Sequence, residues 1–490
     1  MDNVAMRCML AMCLLCGLLL FGGARESGAF EKDGYTTPDS WSQQVSPGQL
    51  KESYTGTAIG GTKIYTTLTS RYRLRFNDYT NDQDFYQYLR VRTDPMKLGN
   101  GTVSASVYAR FAEDLNGNKK RSDGSNNYYF FRDALDTQRH NDDGAPRLYL
   151  ATVSLSDVIK NTTLNLGRVN LAHQNTFQLD GGDAQVKLND MVSVYAYGGK
   201  PVSFYYDTSH YSLMGGGVTV KATDSTKLGA EYVRLHNHGH DNDYTKLRVD
   251  QAIPNGNLAL SYTMLDDDGT LNADVAYEIV NTGTILTAKY EGLLDDVGTN
   301  ERDSYLINPL TNTLLKESRY NKYEFGAYQA FLKHFAAGVT FTQRLVSGDE
   351  NLNNRSYSRV GGKFDIMGLP SENTYISFSA DYWHIRSTSV TAKNESVQYG
   401  VQLNQKITPQ IDVWGGTGYN RYDYDINPDL NTGRRMDDWA RSYFVGAQYK
   451  PNKHLSFMAD MNLEHGSFYN SISNNLNTNY TTELWVNFIF

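Results

Sequence analysis

Six arginines fall at alternating positions in three short segments: Arg71, Arg73 and Arg75, then Arg90 and Arg92, then Arg110. In extended chain alternate side chains share a face, so three such segments laid side by side form a basic stripe that can attract or filter anions. Carboxylates recur later with the same spacing at Asp274, Glu278, Glu291, Asp365, Asp381, Asp412, Asp460, Glu464 and Glu483. His236, His238 and His240 would project to one side of an extended tip, where three imidazoles with carboxylates beside them suit Zn or Cu, although an exposed loop is the simpler reading. Asp114-Leu115-Asn116-Gly117-Asn118 echoes a calcium loop without its terminal Glu, and Asp266-Asp267-Asp268-Gly269 reads as a hairpin turn. No Gly-x-Ser-x-Gly motif is present, so no enzyme is expected, and no cofactor.

The elements that must carry these residues are strands. From about Gly61 to the end, runs alternate apolar and polar side chains with period two. In the first run Ile64, Leu68, Tyr72, Leu74 and Phe76 share one face and the arginines the other. Val103/Val107/Phe111, Leu258/Leu260/Tyr262/Met264 and Leu271/Val275/Tyr277/Ile279 repeat the pattern, as do Ile376/Phe378/Tyr382 and Leu455/Phe457/Met461/Leu463. No soluble core is needed for such strands: lipid takes one face and water the other. The count is about 22, within a range of 18 to 24, and the fold expected is an all-β, transmembrane, antiparallel up-and-down barrel spanning 61–490.

Connections test that count. Every second one is compact turn chemistry, such as Pro254-Asn255-Gly256-Asn257, Asn281-Thr282-Gly283 and Thr408-Pro409-Gln410, whereas the others include the long polar stretches 114–144, 200–212, 294–320, 423–440 and 465–479. Short periplasmic turns and long external loops sort in this way in membrane barrels. The stretch from Arg147 to Leu171 fits least well, having apolar residues at both parities.

The first 29 residues read as a secretory leader: Arg7, an apolar run from Met9 to Phe21, then small residues that place cleavage after Ala24 or Ala29. A short periplasmic segment, 30–60, is expected to follow. All three cysteines, Cys8, Cys13 and Cys16, lie in the leader, which leaves the processed chain without disulfides, thiolate metal sites or covalent haem. A net charge of -8 argues against nucleic acid as a partner.

The ending Thr482-Glu483-Leu484-Trp485-Val486-Asn487-Phe488-Ile489-Phe490 presents Leu484, Val486, Phe488 and Phe490 at alternate positions. It resembles the assembly signal of Gram-negative outer-membrane barrels, which implies the barrel-assembly machinery, outer-membrane lipids and lipopolysaccharide as partners. Leu166-Gly167-Arg168 with Asp180-Gly181-Gly182 looks like the middle of several porins whose lumen handles anionic or general solutes. The chain is also similar in style to the barrel components of porin–cytochrome conduits.

Roughly 22 staves enclose a ring on the order of 40 Å between backbones, wide enough that something must narrow it. The reading favoured is a passive pore for small hydrophilic or ionic solutes, with the arginine stripe on one wall and acids across from it. Arginines merely paired with acidic neighbours are an equally good reading of the stripe. The alternative function is a sheath around a multihaem cytochrome in an electron conduit, all haems belonging to the partner. Tyr72, Tyr232, Tyr262, Tyr290, Tyr382 and Tyr449 suit the interfacial girdles.

Overall fold

The computed structural model describes residues 57–59, 62–77, 81–115, 146–173, 176–202, 210–237, 240–266, 268–296, 318–348, 350, 355–386, 394–425, 435–467 and 477–490. The leader and, apart from 57–59, the segment 30–60 lie outside these residues.

The described chain is strand throughout. In order the strands are β1 (57–59), β2 (62–76), β3 (81–93), β4 (96–98), β5 (101–114), β6 (147–156), β7 (162–172) and β8 (176–187). They continue with β9 (192–201), β10 (211–221), β11 (226–237), β12 (240–253), β13 (256–265), β14 (268–279), β15 (284–293) and β16 (320–331). The last are β17 (335–346), β18 (357–367), β19 (374–385), β20 (394–408), β21 (411–425), β22 (435–452), β23 (455–466) and β24 (477–489).

Two of these 24 are three-residue pieces: β1 folds back on the start of β2, and β4 continues β3 after Asp94-Pro95. Proline has no N–H to give the ladder, so the strand breaks there and resumes. The other 22 form one antiparallel sheet in which each strand pairs with its sequence neighbours, and β24 closes on β2 with Leu68 opposite Phe488 and Tyr72 opposite Leu484. Closure removes every sheet edge, which hydrocarbon demands because no water is there to satisfy backbone groups.

Both chain ends of the sheet and the short turns share one end, the periplasmic one. Those turns sit where the sequence places them. Gly99 and Gly283 turn with φ of 60° and 65°, and Asn161 and Asn255 accept φ of 62° and 60°, a conformation that glycine and asparagine adopt at least cost. The strand ends that flank the long connections lie at the opposite, external end.

Parity puts Leu89, Leu247, Leu260, Phe325, Val339, Val360 and Phe378 outside, where they remain exposed to the bilayer. Tyr232, Tyr262 and Tyr382 lie on the same outer surface. A closed cylinder with this apolar belt is an integral outer-membrane barrel. The irregular stretch from Arg147 has two physical causes. A register shift between β5 and β6 at Tyr108/Ala109 inserts one extra residue and inverts the parity, so Leu148 and Val153 both face out. Further on, β7 is apolar on both faces because Val169 and Leu171 are buried inside the cylinder while Leu166 meets lipid.

Val339 and Thr340 are adjacent mid-strand residues on opposite faces. Val339→Arg is expected to cost about 2–4 kcal/mol of unfolding free energy in lipid vesicles and Thr340→Arg less than about 1 kcal/mol. Equal losses in a denaturant titration would overturn the assignment of faces.

Candidate pore and its lining

The inner wall is built from the residues opposite in parity to the belt, and it divides into dry and wet sectors. The arginine stripe lies in a dry one. The hairpin of β2 and β3 sets Arg73 directly opposite Asp84 and Arg75 opposite Asp82. Arg73 donates through Nε to Asp84 at 2.8 Å and through Nη2 to Tyr86 Oη at 2.7 Å, and Arg75 Nε donates to Asp82 at 2.7 Å. Arg71 reaches across the closure to Glu483 at 2.6 Å, and Trp485 Nε1 donates to the other oxygen of that carboxylate at 3.2 Å.

Aromatic rings occupy the spaces between these charges. Arg71 lies 4.7 Å from the Trp485 ring centre and 5.0 Å from that of Tyr86, while Arg110 sits over Tyr86 and Tyr149. Tyr86, Tyr88, Tyr108 and Tyr149 stack in sequence across β3, β5 and β6. Arg71 is only 2% exposed and Asp84 1%. Each guanidinium is therefore compensated by a carboxylate, a ring or both, as burial of a charge requires. Arg90 and Arg92 differ: Arg90 stacks on Tyr108 at 5.1 Å, Arg92 is exposed, and neither has an ion pair among the described residues.

Beside this sector β7 to β11 present an apolar inner face, extended by Tyr244 and Leu265 at the external ends of β12 and β13. Leu179 and Val233 are fully withdrawn from water, and Val169, Leu171, Leu213 and Leu235 nearly so. Glu231 is buried among them and accepts from Tyr197 Oη at 2.9 Å. Two glycines make room for the rings: a Cβ on Gly215 would come within 2.6 Å of the Tyr197 ring, and one on Gly217 within 2.5 Å of Tyr195 Oη.

The sector from β12 to β19 is wet and charged. Arg248 pairs with Asp250 at 2.7 Å, Lys289 with Glu324 at 3.4 Å, Lys322 with Glu291 at 3.3 Å and Arg359 with Asp381 at 2.7 Å. The Lys289 side chain keeps 57% of its surface exposed in spite of its partner. Asp274 and Glu278 are exposed and have no ion pair among the described residues. Within the same sector Asp365 is buried, accepting from Tyr375 Oη at 2.7 Å with Lys363 Nζ at 3.4 Å. Asp412 and Glu464 are half-buried on the inner wall, and Asp460 accepts from Trp414 Nε1 at 3.1 Å.

Three further motifs singled out in the sequence lie away from the lumen. Arg168 and Asp180 form a bidentate pair, Nε to Oδ1 at 2.6 Å, but they share the parity of Leu166 and so lie on the outer wall, away from the lumen. His236 Nδ1 is 2.7 Å from Asp241, which also binds Arg234, so that histidine is engaged in an ordinary hairpin contact. The Asp241 carboxyl is held below the usual carboxylate range by Arg234 and then by His236. His238 and the side chain of His240 lie outside the described residues. Asp266, at the turn between β13 and β14, ties that turn to the neighbouring β12, accepting from Asp243 N and Asn242 Nδ2 at 2.7 Å each.

Among the described residues the one carboxylate group close enough to share a cation is Asp82, Asp84 and Asp114. Arg73 and Arg75 already compensate its first two members. Asp82, Asp84, Tyr86 and Trp485 are the lining residues that reading the sequence missed. The turn after Phe76 carries the signal, because it fixes a register that sets both aspartates against arginines.

No protein-family pattern matches the sequence, and no curated protein does. Solved structures do show similarity. OccAB4 of Acinetobacter baumannii is 13% identical over 88% of this chain and 98% of its own, with a TM-score of 0.44. The outer membrane protein opdK from Pseudomonas aeruginosa is 10% identical over 87% and 99%, with a TM-score of 0.40. A BenF-like porin from Pseudomonas fluorescens is 10% identical over 89% and 100%, also at 0.40.

Proposed function

We propose that the barrel is a passive outer-membrane channel for small hydrophilic or ionic solutes, and that its conduit runs off-centre along the wet wall of β12 to β19. The observation that carries this reading is the division of the inner wall. Water reaches Lys289, Asp274 and Glu278, whereas Arg71, Leu179 and Val233 on the other side are dry. A solute follows the water.

The arginine stripe then has two jobs. Arg71, Arg73, Arg75 and Arg110 hold the wall together, and Arg90 and Arg92 retain charge that a solute can feel. β3 and β14 are ten staves apart in a ring of 22, nearly across the cylinder. With about 2.5 Å of height per residue, Arg92 and Asp274 stand at similar levels, roughly 15 and 13 Å above their periplasmic turns. Opposed charges at one level make a transverse field, which favours small dipolar or zwitterionic solutes. A circumference of 22 strands also supports a second reading, a sheath around a haem-carrying partner.

Planar-bilayer recordings in a salt gradient separate these. The channel reading expects ohmic current with weak selectivity, shifted toward cations in Arg90→Ala/Arg92→Ala and toward anions in Asp274→Asn/Glu278→Gln. Absence of current together with co-purifying haem absorbance would sink it in favour of the sheath.

The buried ladder should behave differently. Asp84→Ala strands Arg73 and is expected to lose about 3–5 kcal/mol of stability while leaving ion selectivity unchanged. A selectivity change as large as that of the Arg90/Arg92 variant would show that the ladder lines the conduit after all.

A further inference from the structure

The outer wall carries a cationic, aromatic cluster that the channel reading does not use. Arg441 on β22 lies between Tyr419 on β21 and His465 on β23, directly opposite both in register. Parity places the three on the lipid-facing surface, in the same column of β22 as exposed Tyr443 and Val445. The Arg441 guanidinium is 5.6 Å from the Tyr419 ring centre and 5.9 Å from that of Trp439. Those two rings stack at 6.4 Å, Trp439 meets His465 edge-on at 5.7 Å, and Tyr399 extends the aromatic surface from Tyr419 at 5.0 Å.

Arg441 is exposed and has no carboxylate partner among the described residues, so its positive charge is steadied by ring faces and not cancelled. Height decides what can meet it. Tyr449, eight residues down the same strand, stacks on Phe457 near the periplasmic end. At about 2.5 Å per residue Arg441 stands some 20 Å above Tyr449, close to the upper edge of an apolar belt about 25 Å tall. A long side chain there reaches the headgroup layer of the external leaflet. Glu395 and Asp423 are register partners further up the same face, two rungs beyond Tyr399 and Tyr419, so an anion is favoured at the level of Arg441 and not above it.

We propose that Arg441, with Trp439 and Tyr419, binds a phosphate of lipid A in the external leaflet. The guanidinium offers paired donors to phosphate oxygens, and the rings lie along the glucosamine and the first methylenes of the acyl chains. Charge, ring surface and height agree on that occupant, because in the external leaflet the phosphorylated lipid is the one that presents a dense anion at this level.

The test uses the full processed chain refolded in detergent free of lipopolysaccharide. Native mass spectrometry is run with bisphosphorylated lipid A, with the same lipid enzymatically dephosphorylated, and with inorganic phosphate. The expected result is retention of the bisphosphorylated lipid, with apparent affinity reduced at least tenfold for the dephosphorylated lipid and for Arg441→Ala, and a smaller loss for Trp439→Leu. Heat-modifiable gel migration verifies that each variant has closed its barrel, and Arg441→Gln replaces Arg441→Ala if the latter does not refold. Unchanged binding in both Arg441 variants, or equal affinity for dephosphorylated lipid A, overturns the assignment. Displacement of the lipid by millimolar inorganic phosphate also overturns it, since the site would then be a free-anion pocket.

Discussion

Hydrocarbon offers no hydrogen-bond partner, and that single constraint sets the form of this molecule. Each strand must give its N–H and C=O groups to two neighbours, so the sheet has to close, and β24 meets β2 along ten paired positions. Closure also fixes the direction of side chains. Once one residue of a stave points to lipid, the parity of the whole stave follows until a bulge interrupts it. What the lumen contains is thus a consequence of what the bilayer accepts.

The closing seam shows how one requirement serves another. Pairing β24 with β2 brings Glu483 and Trp485 against Arg71, and the β2–β3 hairpin brings Asp82 and Asp84 against Arg75 and Arg73. A guanidinium that lost these partners would remain where water does not reach, and uncompensated burial costs several kcal/mol. The ladder therefore makes the correct register of the first two strands with the last the one that satisfies every charge. A slip by one residue would send the arginines into lipid.

Much of this was legible in the sequence because period two is hard to counterfeit over 22 segments. The strand number, the sorting of short turns from long connections and the inward direction of Arg71, Arg73 and Arg75 all follow from parity. The Arg71–Glu483 contact was foreshadowed by closure alone. The motif around Arg168 carried no direction of its own: with the parity of Leu166, Arg168 stands on the outer wall and pairs with Asp180. Dryness was not legible at all. Whether Val169 or Leu179 meets water depends on what lies against it across a wide cylinder, and no pattern along one strand encodes that.

The uneven wetting of the inner wall bears on how a barrel of this circumference can be selective. In a wide, evenly lined ring a solute at the centre is about two Debye lengths from charge on any stave at physiological salt, and feels little. Where one side of the cylinder is dry, the proposed conduit would hold the same ions beside the charged wall of β12 to β19, within a Debye length of Lys289, Asp274 and Glu278. Low-dielectric material on the dry side also concentrates the field lines that would otherwise spread. On the proposed channel reading, selectivity would come from crowding the path against a few exposed charges, and the number of charges on the whole wall would matter less than which of them keep their water.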